Sequence, residues 1–280
     1  MEPEGVIFMD GVRESVLYTK KIRPRPHTKR QRRFRGTHPE YNQSESLCQS
    51  FQLNKLSMYY FNRNNLENLE KSLSLERFAE YLSKTDGNRE EAMRLYAWNT
   101  AVSAAFYAPL QALEITLRSR INAVLAEKYG AEWFDSSDID FHLEHSERIE
   151  EARERSARGR QEPSTPSGIV ASLSFGFWVF LLSEHYEKLW RNTLHQILPH
   201  QVSSHTFSRK EVRKPLEKMR NLRNCIAHHD PIFHMRLENH YQIILETIGW
   251  MSPDKKAWVE AHSRVEEILA QSQTDPGVRF

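Results

Sequence analysis

Two cysteines, Cys48 and Cys225, are all that 280 residues contain. They lie far apart and in no metal-ligand spacing, which excludes a disulfide framework and a zinc site and fits a reducing, cytoplasmic setting. No metal and no other cofactor is expected. Glycine (10) and proline (12) are scarce through the middle of the chain and no long low-complexity tract occurs, so most of it is expected to fold. A secretory signal is missing too, because the first residues mix Glu2, Glu4 and Asp10 with only a short apolar run. Long hydrophobic runs are absent as well. The longest, residues 169–182, is broken by Ser172, Ser174 and Gly176 and falls short of the roughly 20 residues that span a bilayer. It reads as a buried core helix, and no membrane partner is expected. A His-Glu-x-x-His pair is also missing, which leaves a membrane-linked protease without support.

Apolar residues make up 39% of the chain, enough to bury a sizeable core in one or two domains. The net charge of +2 hides an asymmetry. Residues 1–57 hold eleven Lys/Arg against six Asp/Glu, a surplus of five that leaves the rest of the chain at −3. Nine of those basic residues fall between Lys20 and Arg35 with no acidic one among them. A flexible, disordered, solvated arm is the plainer reading of residues 1–57, and attraction for nucleic-acid phosphates the functional one. A third reading starts the fold at Met58 and treats the upstream residues as an extension of the coding frame.

From about residue 65 onward helical periodicity dominates, and no run reads as a sheet strand. The expected class is all-α, in one helical domain over residues 58–272 followed by a disordered tail at 273–280. Ser74 opens an amphipathic stretch that runs to Leu82, and residues 84–88 form a turn centred on Asp86 and Gly87. A helix from Arg89 toward Phe106 is interrupted at Pro109, and another runs from Leu110 to Lys128 with Gly130 near its C-cap. Residues 142–160 are rich in Glu and Arg at helical spacing, as a solvated, charge-laced helix face or a flexible arm is. Residues 161–168 are a loop, and the next helix carries Ile169, Leu173, Phe177, Val179 and Leu182. Phe177 and Trp178 read as core. Ser208 with Glu211 forms a capping box for a helix continuing to His229, kinked at Pro215. Two more helices flank the Ser252-Pro253-Asp254 turn.

The chemistry-bearing segment is Arg220-Asn221-Leu222-Arg223-Asn224-Cys225-Ile226-Ala227-His228-His229-Asp230-Pro231. On a helical wheel Met219, Leu222 and Ile226 cluster toward the core, whereas Arg220, Asn224 and His228, four apart, line another face. His229 falls beside the apolar cluster, where a packed, hydrogen-bonded structural histidine is expected. Arg223 lies roughly 140° around the axis from His228. Those two side chains therefore converge only if the arginine wraps round, the helix distorts, or a second copy supplies one of them. His228 sits in the last turn, where the helix dipole favours a cation and hence a general acid. Glu114 and Arg118 form an i,i+4 couple, either a surface ion pair or a support for the motif helix.

Arg223-Asn224-Cys225-Ile226-Ala227-His228 resembles the Arg-polar-x-x-x-His signature of HEPN domains. The longer string from Leu222 to Pro231 is similar to the Abi-like (abortive infection) family. Leu113-Glu114-Ile115-Thr116-Leu117-Arg118, preceded by Tyr96-Ala97-Trp98-Asn99, and Ser174-Phe175-Gly176-Phe177-Trp178 resemble the core helices and central aromatic segment of that family. The resemblance spans about residues 66–270 and departs at Ser119, where the family often has Asn. It implies a HEPN-type helical bundle with additional helices, and a metal-independent endoribonuclease working as a homodimer in phage defence or as a toxin, with an antitoxin or other regulatory partner. It also implies the catalytic set Arg223, Asn224 and His228, with Glu114 and Arg118 in support, Arg220 on the RNA backbone and His229 structural. The competing reading is a HEPN-fold module that binds RNA or a protein and cuts nothing.

Overall fold

The computed structural model describes residues 63–73, 75–158, 164–201 and 207–280. The expected 1–57 arm, together with Cys48 and Met58, lies outside them. Every regular element among the described residues is helical: α1 (Arg63–Ser72), α2 (Leu75–Lys84), α3 (Arg89–Tyr129), α4 (Leu143–Ala157), α5 (Pro166–Ser172), α6 (Phe175–Phe180), α7 (Glu187–Trp190), α8 (Leu194–Ile197), α9 (Arg209–Ala227), α10 (Leu237–Met251), α11 (Pro253–His262) and α12 (Val265–Leu269). Single 3₁₀ turns occupy Trp133–Asp135 and Glu184–Tyr186. None of the helices is long and apolar enough to cross a membrane.

The spine is α3, one continuous helix of 41 residues where a break at Pro109 was expected. A proline inside a helix costs about 3 kcal/mol through its missing N–H and its clash with the preceding turn. Burial on both sides outweighs that cost. Pro109 is itself buried, and Phe106, Leu113, Leu117 and Ile121 are wholly so, each large apolar side chain contributing roughly 1.5–3 kcal/mol. Asn88 caps the start, its side chain accepting from the Glu91 N–H, and Gly130 ends the helix at φ 88. Asp86 (φ 51) and Gly87 (φ 81) make the left-handed turn before it, as the Asp-Gly pair suggested.

Around this spine pack α2, α6, α8, α9, α10, α11 and α12. Side-chain-to-backbone bonds lock several of them. Trp98 Nε1 donates to the Ile268 carbonyl (3.3 Å), holding α12. The Arg120 guanidinium covers the Met251 carbonyl (2.6 and 3.1 Å) at the end of α10. The expected helix through residues 169–182 is instead two, α5 and α6, because Leu173 and Ser174 adopt extended backbone (ψ 133 and 162). Phe177 and Trp178 are wholly buried, as their apolar setting implied. A third short helix, α12, follows α11 where two helices were expected after residue 237. The C-terminal residues also differ from the expected disordered tail: Gln273 Nε2 donates to the Phe233 carbonyl (3.3 Å), and Val278 packs on the core.

Candidate functional site: a groove between the spine and the motif helix

Helix α9 opens with the capping box read from the sequence, Ser208 and Glu211 each satisfying the other's backbone N–H. Val212, Leu216, Met219 and Leu222 are buried, and α9 rests on α3, α6 and α10. Its end falls at Ala227, two residues before the expected His229. His228 is the C-cap (φ −89, ψ 1), and His229 takes the left-handed conformation at φ 59. The His229 N–H bonds the Ile226 carbonyl (3.1 Å) and the Asp230 N–H the Cys225 carbonyl (2.8 Å). That is a complete Schellman ending, with histidine where glycine is usual.

This ending overturns the expected place of His229. The wheel that set it beside the apolar cluster stops applying once the chain leaves the helix, and His229 is exposed instead of packed. It lines a groove of about 850 Å³ between α3 and α9. Along α3 the groove is formed by Thr100, Ser103, Ala104, Tyr107, Leu110, Gln111, Glu114, Ile115 and Arg118; α9 and its turn contribute Arg223, Ile226, Ala227 and His229. So the Glu114–Arg118 couple and Arg223, singled out separately in sequence, share one groove. Asn224 and His228 are exposed but are not among its lining residues.

Glu114 sits half-buried on α3. Burial pushes its carboxyl above the usual range, against the opposing pull of Arg223, then Arg118, then a hydrogen bond from the Phe175 backbone N–H. Arg118 turns from a simple ion pair and donates to the Ala171 carbonyl (3.2 Å). The i,i+4 couple thus straddles the break between α5 and α6, its cation on the last carbonyls of one helix and its carboxylate on the first N–H of the next. Arg223 is exposed and answers Glu114 electrostatically without a direct hydrogen bond, which leaves its donor fork open to an anion.

Arg220 is half-buried rather than free in solvent, its Nε enclosed with no hydrogen-bond partner. It lies against Gly176, where a Cβ would stand 3.9 Å from Arg220 Cδ and 3.5 Å from Arg148 Nη1. Cys225 is half-buried, and burial followed by the charge of Asp230 raises its thiol pKa.

Two residues that sequence reasoning missed pin the turn after α9. Arg77 of α2 donates to the carbonyls of His228 (3.0 Å) and His229 (3.3 Å). Asn99 Oδ1, buried on α3, accepts from the Ile232 N–H (2.8 Å). Asn99 left a signal, a polar residue between Trp98 and Ala101 on an apolar face; Arg77, one of many surface arginines, left none.

No family model, no curated protein and no solved structure matches the chain.

Proposed function

We propose that the chain is a metal-independent endoribonuclease of the HEPN type, with the corresponding helical bundle, acting in phage defence or as a toxin. The observation that carries this reading is the groove lined by Arg223, Glu114 and Arg118 together with His229 of the turn that ends the same helix. RNA cleavage by an adjacent 2′-OH needs proton transfer and stabilisation of charge on the five-coordinate phosphorus. The exposed guanidinium of Arg223 offers a planar donor fork to the non-bridging oxygens. His228, at the end of the helix, moves a proton, and Asn224 one turn before it orients the imidazole or the phosphate. Arg220, one turn before Asn224 on the same helix, contributes positive charge toward the RNA backbone. The products are a 2′,3′-cyclic phosphate and a 5′-hydroxyl.

Arg223 faces the groove and His228 does not line it, which favours a homodimer in which a second motif helix completes the set. The groove wall of α3 supports such a contact, since it exposes Tyr107 (66%) and Ile115 (40%) beside small residues. An antitoxin or other regulatory protein is the further partner this reading implies, in the cytoplasm. The test is cleavage of RNA by the purified full chain in EDTA, wild type against His228→Ala and Arg223→Ala. Loss of cleavage in both variants is expected. Cleavage that requires added metal, or that persists in His228→Ala, contradicts the mechanism. Wild-type protein that binds RNA but cuts none supports the non-catalytic module instead.

A further inference from the structure

Cleavage by a ribose 2′-OH moves two protons. One leaves O2′ as the O2′–P bond forms, and one must reach O5′ as the P–O5′ bond breaks. A single imidazole in one protonation state serves one end of that displacement, so a second group is needed for efficient transfer at the other. His228 accounts for one transfer in the ribonuclease reading, on which the present inference rests.

The second imidazole is already in place. His229 holds a left-handed backbone (φ 59), uncommon for residues other than glycine, and it lines the groove that Arg223 also lines. The turn is pinned on three sides: by its own Schellman bonds, by Arg77 on both histidine carbonyls, and by Asn99 on the Ile232 N–H. An imidazole on so constrained a backbone is presented to the groove rather than fraying with the helix end. Glu114 is the carboxyl among the groove's lining residues, and a phosphate carried by Arg223 would add a second negative charge.

We infer that His229 is a catalytic residue of this chain, donating its proton to the departing O5′ while His228 accepts the proton of the 2′-OH. The O2′–P bond forms, the P–O5′ bond breaks, and His229 is left neutral and His228 charged, to be reset by solvent. Arg77 is then a positioning residue for both imidazoles.

The test uses His229→Gly in the full chain, because glycine takes the left-handed turn without a Cβ and keeps the fold. A thermal melt at or above that of wild type verifies this. Rates are measured in EDTA on two substrates: a dinucleotide RNA, whose alkoxide leaving group needs a proton, and uridine 3′-(4-nitrophenyl phosphate), whose phenolate does not. The expected result is a loss of about 10²-fold or more on the dinucleotide and less than about tenfold on the aryl ester. His228→Ala should lose both. A His229→Gly protein that cuts the dinucleotide at the wild-type rate, or loses both substrates equally, overturns the donor role. If wild type needs His228 and Arg223 but is indifferent to His229, only this inference falls; if wild type cleaves neither substrate, the ribonuclease reading falls with it.

Discussion

At the scale of single residues, a buried titratable group outside the groove is His145. It is wholly buried on α4 among Phe177, Phe180 and Tyr186. The His142 N–H donates to Tyr186 Oη (3.1 Å), and the same hydroxyl shares a hydrogen bond with His145 Nδ1. Burial, and then the charge of Arg148, push the imidazole down to about 3, while Tyr186 is pushed up to about 12. The folded protein therefore holds His145 neutral where the unfolded chain, near 6.5, begins to take up a proton. Stability from this group is full above neutrality and is lost as pH falls from about 6.5 toward 3. Between pH 7.5 and 5 the loss should be about 2 kcal/mol. His145→Gln, less stable at pH 7.5, should show a flatter fall in urea midpoint over that interval. Parallel profiles for the two proteins would place the acid sensitivity elsewhere.

At the scale of elements, the histidine turn depends on a helix remote in sequence. Arg77 links α2 to the end of α9, and its charge also suits the negative end of that helix's dipole. Arg77→Met should cost about 1 kcal/mol, since the carbonyls it bonds are exposed and water replaces part of the interaction. Hydrogen exchange should quicken in α2 and at residues 228–232 while α10 stays protected; unchanged exchange at the turn would show that Arg77 does not hold it. This dependence was not legible in the sequence, because a hydrogen bond across about 150 residues leaves no periodic trace. What was legible is local chemistry: the Ser208–Glu211 box, the Asp86-Gly87 turn, Gly130 as a cap, and the Met219–Leu222 core face. Pro109 and the residues 169–182 misled in opposite directions. Tertiary burial carried α3 through its proline, while two serines and extended backbone split α5 from α6 with no proline at all. His229 misled because a wheel drawn past the true end of a helix assigns directions to residues no longer on it.

At the scale of the whole molecule, the groove brings together groups from α3 and α9 that lie more than a hundred residues apart, and the exposed Tyr107 and Ile115 beside it are where the proposed homodimer would meet. Tyr107→Glu combined with Ile115→Glu alters no residue assigned to the chemistry and places like charges where two copies would meet. The double variant should run as a monomer in size-exclusion chromatography, with RNA cleavage reduced by about tenfold or more. A monomeric variant with undiminished cleavage would show that one chain holds the complete site. Arg223 would then reach the scissile phosphate without help from a partner.

The most direct measurement is the chemistry of the cut ends. RNA incubated with purified wild-type protein in EDTA should yield fragments ending in 2′,3′-cyclic phosphate and beginning with 5′-hydroxyl, and neither Arg223→Ala nor His228→Ala should produce them above background. Fragments carrying 5′-phosphate and 3′-hydroxyl, or a cyclic-phosphate yield equal in wild type and both variants, would contradict a site built on Arg223 and the histidine turn.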